Sequence, residues 1–258
     1  MNEEYKSVHE FEIELICEYF SSIDRQGPGS KEITIKALSF IENLPDDARI
    51  ADLGCGTGTQ TITLARHTKG HITAIDLFPN FINIMNGNIE NLNLTDRFTT
   101  MVGDMGTPPF QENEMDLIWS EGAIYNVGFE NGLNLWRKFL KTGGYVAVSE
   151  ASWFTPTRPD EINDFWMDAY PEIDTIPNKV AIMEKAGYIP VATFILPESC
   201  WLEEFYKPQV YARKKFLDKY GDNQTAIELL ASQQHEERLY NKYKDYYGYV
   251  FYIGKKIG

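Results

Sequence analysis

Arg49-Ile50-Ala51-Asp52-Leu53-Gly54-Cys55-Gly56-Thr57-Gly58 is the stretch from which the rest of the chain can be placed. A short apolar run meets an acid at Asp52, and glycines then stand at 54, 56 and 58. From Thr59 onward Ile62 and Ala65 fall at helical spacing. The pattern predicts a strand, a tight glycine loop and a helix. A backbone without Cβ atoms turns sharply and lets a ligand lie against it, and the helix behind it offers free N–H groups. The stretch therefore reads as a nucleotide-type binding loop.

Two familiar phosphate-binding patterns fail here. A dinucleotide fingerprint needs Gly-x-Gly-x-x-Gly after the strand. Counted from Gly54 the sixth position is Thr59, and counted from Gly56 it is Thr61. A P-loop needs Gly-Lys-Ser/Thr, and no lysine stands there.

Outward from the loop the alternation continues. Strands are expected over 71–76, 98–102, 115–120 and 144–150, and helices over 79–92 and 129–140. This predicts an α/β fold, a doubly wound, mainly parallel, Rossmann-like sheet of seven strands with helices on both faces. Right-handed crossovers then bring every strand-to-helix loop to the carboxyl edge. Upstream, Phe11, Leu15, Ile16 and Phe20 mark an amphipathic helix over 8–20. A Gly-Pro-Gly break at 27–29 separates it from a second helix over 31–43. Downstream, a helix over 176–186 and a strand over 188–196 precede two long helices at 198–220 and 223–244. The aromatic run 246–253 reads as a last, antiparallel strand paired with 189–196. The organisation is a single domain over 1–258. A helical cap covers 1–45, a cofactor-binding core 46–150 and acceptor-side elements 151–258, with a helical insertion at about 199–243.

Composition narrows the partners. The 258 residues carry a formal net charge of −14, against the basic surface that phosphate neutralisation requires, so nucleic acid is not the expected partner. A negative field suits a cationic or neutral small molecule. No apolar run approaches the ~20 residues of a membrane span. The first residues lack a basic start and apolar core, and Cys17, Cys55 and Cys200 cannot all pair, so a reduced, cytoplasmic setting is expected. His9, His67, His71 and His235 do not cluster with acids at ligand spacing, so no metal is expected. The aromatic C-terminal third offers a surface for a possible homodimer.

Acids recur at the strand ends: Asp52, Asp76, Asp104, Glu121 and Glu150. Helix capping accounts for one or two of them. Five on one rim suit a ligand with hydroxyls, amines and positive charge.

At this point the residues resemble a known family. Asp52 to Gly58 is similar to the first motif of class I S-adenosylmethionine-dependent methyltransferases, and the resemblance covers roughly residues 48–150. Asp76, 18 residues after Gly58, matches the acid that in this family holds the ribose hydroxyls. Gly103-Asp104-Met105 matches the acidic position near the adenine amine, and Ser120-Glu121-Gly122 matches the segment lining the transfer site. The segment 141–148 resembles the family's entry to strand five, with Thr142 where proline is common. The layout looks most like the small-molecule branch. The resemblance implies S-adenosylmethionine as cofactor, held by Asp52, Gly54, Cys55, Gly56, Thr57, Gly58, Asp76, Leu77, Gly103, Asp104, Met105, Ser120 and Glu121. Asp76 would take both ribose hydroxyls, and Asp52 with the Gly54 and Gly56 backbone would face the methionine end.

Methyl transfer is an in-line displacement in which positioning and water exclusion carry much of the rate. Glu121 and Tyr125 stand where an acceptor would approach, with Glu121 a base or acceptor anchor. Tyr5, Tyr19, Phe20, Trp153, Phe154, Trp166, Trp201 and Tyr206 would form a lid or a cage for a cationic amine, or plain core. The loop 25–30 would close over the methionine end. Two other readings stand beside this one: a nicotinamide-dependent oxidoreductase on a similar sheet, and a non-catalytic cofactor-binding protein.

Overall fold

The computed structural model describes residues 5, 6 and 10–258. The first helix, α1, runs Ile13–Phe20, so residues 8 and 9 of its expected span lie outside the described residues. Leu15 and Tyr19, one turn apart, turn inward with Phe20. Helix α2 (Lys31–Leu38) starts at Ser30, whose hydroxyl accepts from the Ile33 N–H at 3.2 Å.

Strand β1 (Arg49–Leu53) lies between β2 (His71–Asp76) and β4 (Met115–Glu121), parallel to both. Helix α3 (Thr59–His67) links β1 to β2, and α4 (Pro79–Asn91) links β2 to β3 (Phe98–Val102). The chain then crosses back through β4 and α5 (Phe129–Arg137) to β5 (Leu140–Trp153). The strand order is β3-β2-β1-β4-β5-β8-β7, with β8 (Tyr247–Lys256) antiparallel to both β5 and β7 (Tyr188–Ile195). The expected doubly wound α/β sheet and its antiparallel last strand are both present. An eighth strand joins the expected seven, the two-residue β6 (Asp174–Thr175) beside β5. The order reverses between β1 and β4, which opens a crevice at their carboxyl ends.

β5 is longer than expected at both ends. It begins at Leu140, which pairs with Met115 across a register shift, so α5 stops short of residue 140. It also continues past Glu150 to Trp153, held by nine successive partners on β8. Alternate residues along the central strands feed two large cores, and a third, small cluster gathers Cys55, Ala74, Ile82, Met85 and Ile89. Ile50, Leu117 and Trp119 join the larger, with Leu229 and Trp201 from the C-terminal helices. Leu53, Ile118 and Val148 join the smaller, under α5 and α7 (Ile176–Lys185).

The insertion before β8 begins with α8 (Ser199–Trp201), passes through a π-helical turn at Leu202–Tyr206 and continues as α9 (Lys207–Tyr220). Pro208 has no N–H to give to the preceding turn, and the helix widens just ahead of it. Asn223 caps α10 (Gln224–Tyr243), accepting from Ala226 N–H at 3.1 Å. Between β5 and β6 lies α6 (Asp160–Ala169), with Ile162 and Trp166 inward.

Candidate functional site

The glycine loop sits at the crevice, and its backbone donors are already used. Gly54 and Cys55 N–H both donate to the Ile75 carbonyl, at 2.9 and 3.1 Å. Gly56 N–H donates to Asp76 Oδ2 at 2.8 Å and Thr57 N–H to Gln26 Oε1 at 3.0 Å. Gly58 N–H closes back on the Cys55 carbonyl. The N–H groups of residues 54–58 are thus engaged within the protein, whereas a phosphate cradle leaves such groups free for its ligand. Gly54 and Gly56 have positive φ of 75° and 55°. A Cβ on Gly54 would collide with Ala123, and one on Gly56 with Gln26.

Beside the loop is a cavity of about 520 Å³. One end is lined by Gly54, Cys55, Gly56, Asp76, Leu77, Gly103, Asp104 and Met105, the residues assigned to the cofactor from sequence. Asp76 accepts Gly56 N–H through one oxygen and Phe78 N–H, at 3.0 Å, through the other. A carboxylate has about four lone-pair sites, and the backbone N–H groups of Gly56, Leu77 and Phe78 do not use them all, so acceptor capacity remains for a ligand hydroxyl. Burial pushes the Asp76 carboxyl up, and the Phe78 and Gly56 donors pull it back. Leu77 stands 58% exposed at the mouth, an apolar surface for a ring to cover. Asp104 is held by its own turn, accepting Gly106 N–H at 2.7 Å.

Four assigned cofactor residues do not line the cavity. Asp52 is fully buried beneath the loop, takes the Thr61 hydroxyl at 2.5 Å, and is pushed up to about 7 by burial. Thr57 is turned toward Gln26 and the Asp24 carbonyl, Gly58 packs on Met85, and the Ser120 hydroxyl donates to the Leu53 carbonyl. These residues shape the loop from behind. Of the five rim acids, Glu150 is also displaced: β5 runs on past it, and it is buried against Lys179 with the Tyr170 hydroxyl donating to it.

The loop 24–29 lies across the glycine loop. Asp24 gives its carbonyl to the Thr57 and Thr59 hydroxyls, and Arg25, Gln26, Gly27 and Pro28 line the cavity. Arg25 reaches Glu121 at 3.0 Å, with both side chains buried. Glu121 Oε1 also accepts from the Thr34 hydroxyl at 2.6 Å and from Trp119 Nε1 at 3.0 Å. Glu121 faces the cavity but spends both oxygens on the protein. Tyr125 lines the same wall, its phenol pushed up by burial.

Of the expected aromatic set only Phe20, Trp166 and Trp201 reach the cavity. Tyr5 stacks on His235, the Tyr19 hydroxyl donates to Gln209, Trp153 packs edge-on to Tyr247, Phe154 lies over Gly248, and Tyr206 donates to Glu236. The far wall is built instead by Tyr125, Phe165, Trp166, Tyr170, Trp201, Phe205 and Tyr249, with Gln233 and Glu236 from α10. Glu236 escaped the sequence reading because it sits in a polar run, 233–238. One signal was available: Leu229, Gln233, Glu236, Tyr240 and Tyr243 form a single helical stripe, polar in its middle.

Among the described residues no group of three His, Cys, Asp or Glu is placed to hold a metal. The three cysteines are buried and unpaired. No described helix is long and apolar enough to cross a membrane.

A doubly wound sheet, an acid-lined cavity at the strand-order reversal and a glycine loop without spare donors define a Rossmann-like domain suited to a phosphate-free ligand. Residues 50–144 match the family model for a methyltransferase domain, in line with the class I S-adenosylmethionine-dependent resemblance carried by the glycine loop. A phosphoethanolamine N-methyltransferase of Plasmodium falciparum is 30% identical over 125 residues, covering 47% of this chain and 46% of that protein. The chain thus spans about half the length of such curated relatives. A methyltransferase of Geobacter sulfurreducens, solved with S-adenosyl-L-homocysteine, superposes with a TM-score of 0.81 at 20% identity, covering 95% of this chain and 98% of that one. One from Thiobacillus denitrificans, also solved with S-adenosyl-L-homocysteine, gives 0.79 at 21% identity, covering 92% and 96%. Both share the fold.

Proposed function

We propose that the protein is an S-adenosylmethionine-dependent methyltransferase acting on a small-molecule acceptor. The observation that carries this reading is the pairing of a donor-spent glycine loop with Asp76 at the cavity edge. Asp76 would take the ribose hydroxyls in charge-assisted bonds. Asp104 would face the adenine amine, with Leu77, Gly103 and Met105 around the ring. Asp52, from beneath, keeps the loop in shape. When bound, S-adenosylmethionine supplies a methyl group activated by a positively charged sulfur. The chain's contribution is to bind, orient and exclude water: the loop 24–29 covers the glycine loop, and the aromatic wall keeps the opposite side dry. Glu121 and Tyr125 are the residues nearest the expected transfer region. Glu121, held by Arg25, Thr34 and Trp119, is better suited to positioning the covering loop than to taking a proton. A cavity of about 520 Å³, shared with the cofactor, suits a small acceptor.

Calorimetric titration with S-adenosyl-L-homocysteine and, separately, with NAD tests the ligand. Binding of the first alone is expected, and Asp76→Ala should weaken it at least ~10-fold, the loss of about 1.4 kcal/mol. NAD binding in its place would sink the reading. Release of labelled methyl groups to a panel of amines and alcohols then separates an enzyme from a binding protein; transfer to none of them would favour the latter.

A further inference from the structure

We infer that the far half of the cavity is a binding site for an organic ammonium group, with Glu236 as its charge partner inside an aromatic enclosure. Calling that ligand the methyl acceptor rests on the proposed function; the site itself does not.

The geometry comes from elements spread along the chain from Tyr125 to Tyr249. Helix α10 brings Gln233 and Glu236, one turn apart, to the cavity. Tyr125 and Tyr170 meet edge to face at 5.9 Å, and Trp201 and Tyr249 at 5.0 Å, with Trp166 also in the lining. The Tyr206 hydroxyl donates to Glu236 Oε1 at 3.2 Å, which orients the carboxyl.

Charge then selects the ligand. The charged lining residues are Asp76, Asp104, Glu121 and Glu236 against Arg25, and Arg25 is already paired with Glu121. Glu236 therefore has no cation among the described lining residues. Glu236 is half-buried, and a carboxylate drawn partly out of water without a counter-charge is costly; desolvation pushes this one up to about 7, only partly offset by Tyr206. An ammonium group would supply the missing charge, and the aromatic faces would hold its alkyl shell by cation–π attraction. The same lining disfavours a phosphate, which would meet carboxylates and no free cation. The site thus differs from one built for phosphoethanolamine, the substrate that the name of the Plasmodium relative implies.

Trp166 and Trp201 make the test direct, because their fluorescence reports occupancy without turnover. The full chain is titrated with choline, with its uncharged isostere 3,3-dimethylbutan-1-ol, and with phosphocholine; benzyltrimethylammonium serves as a larger cation. At least one cation is expected to bind at least ten times tighter than the isostere, with phosphocholine at least ten times weaker than choline. Glu236→Gln, which keeps the Tyr206 bond, should abolish the preference for charge while leaving S-adenosyl-L-homocysteine affinity unchanged. The inference is overturned if the isostere matches the cations, if phosphocholine matches choline, if neither cation binds, or if Glu236→Gln changes nothing. Should that variant not fold, the wild-type ligand comparison alone decides. Failure to bind S-adenosyl-L-homocysteine in the same preparation would remove the methyltransferase reading and leave the cation preference readable.

Discussion

Asp52 carries the residue-scale consequence of burying a carboxyl under a glycine loop. Its folded value near 7 stands above the ordinary 3.8, with burial as the main cause and Thr61 opposing it. The unfolded chain loses this proton first, so stability falls as pH rises from about 4 to 7 and then levels off. Asp52→Asn should remove that component, flattening the decline by up to about 1.4 kcal/mol per pH unit; urea unfolding at several pH values measures it, and an unchanged slope would refute the buried-acid account. Glu121 makes a second residue-scale prediction. Replacing it by Gln leaves the buried Arg25 guanidinium uncompensated, a situation that typically costs ~3–5 kcal/mol when one partner is removed. Glu121→Gln should therefore lower thermal stability and weaken S-adenosyl-L-homocysteine binding together, through a loosened 24–29 loop. A fall in turnover with both properties intact would instead restore Glu121 as a base.

At the scale of elements, α7 is fastened to β5 by a buried pair. Lys179 reaches Glu150, with the Phe129 and Tyr170 rings 4.5 and 5.1 Å from its ammonium. Burial raises the Glu150 carboxyl while Lys179 opposes the shift. Lys179→Met should cost several kcal/mol by stranding the carboxylate, and Lys179→Met with Glu150→Leu should recover most of it. A double variant as unstable as the sum of the singles would show that the two do not act as a pair. The same element explains why Glu150 is absent from the rim. An acid at a strand end can meet a ligand, but β8 extends β5 to Trp153 and leaves Glu150 inside the sheet.

For the whole molecule, ligand binding and folding are linked. S-adenosyl-L-homocysteine at 100 times its dissociation constant should add about 2.7 kcal/mol of stability, raising the melting temperature by ~5–11 °C for a chain of this size. Hydrogen exchange should slow over the 24–29 loop, which bridges α1, the glycine loop and Glu121. No shift at saturating ligand would mean that the cavity is not the binding site.

What the amino-acid order determined by itself is the doubly wound sheet, the glycine loop and the Asp76 end of the cavity, where the cofactor is proposed to lie. Those features are local: a strand, a turn and a helix within residues 49–67, with Asp76 at the end of the next strand, each readable from periodicity and glycine spacing. The tertiary structure alone decided the rest. It set Asp52 beneath the loop, joined Glu121 to Arg25 across 96 positions, and enclosed Glu236 among aromatics from α6, α8 and β8. Polarity along a helix tells which face meets water, not which carboxyl faces a cavity, because the wall opposite it is supplied by other elements of the chain, from Tyr125 to Tyr249.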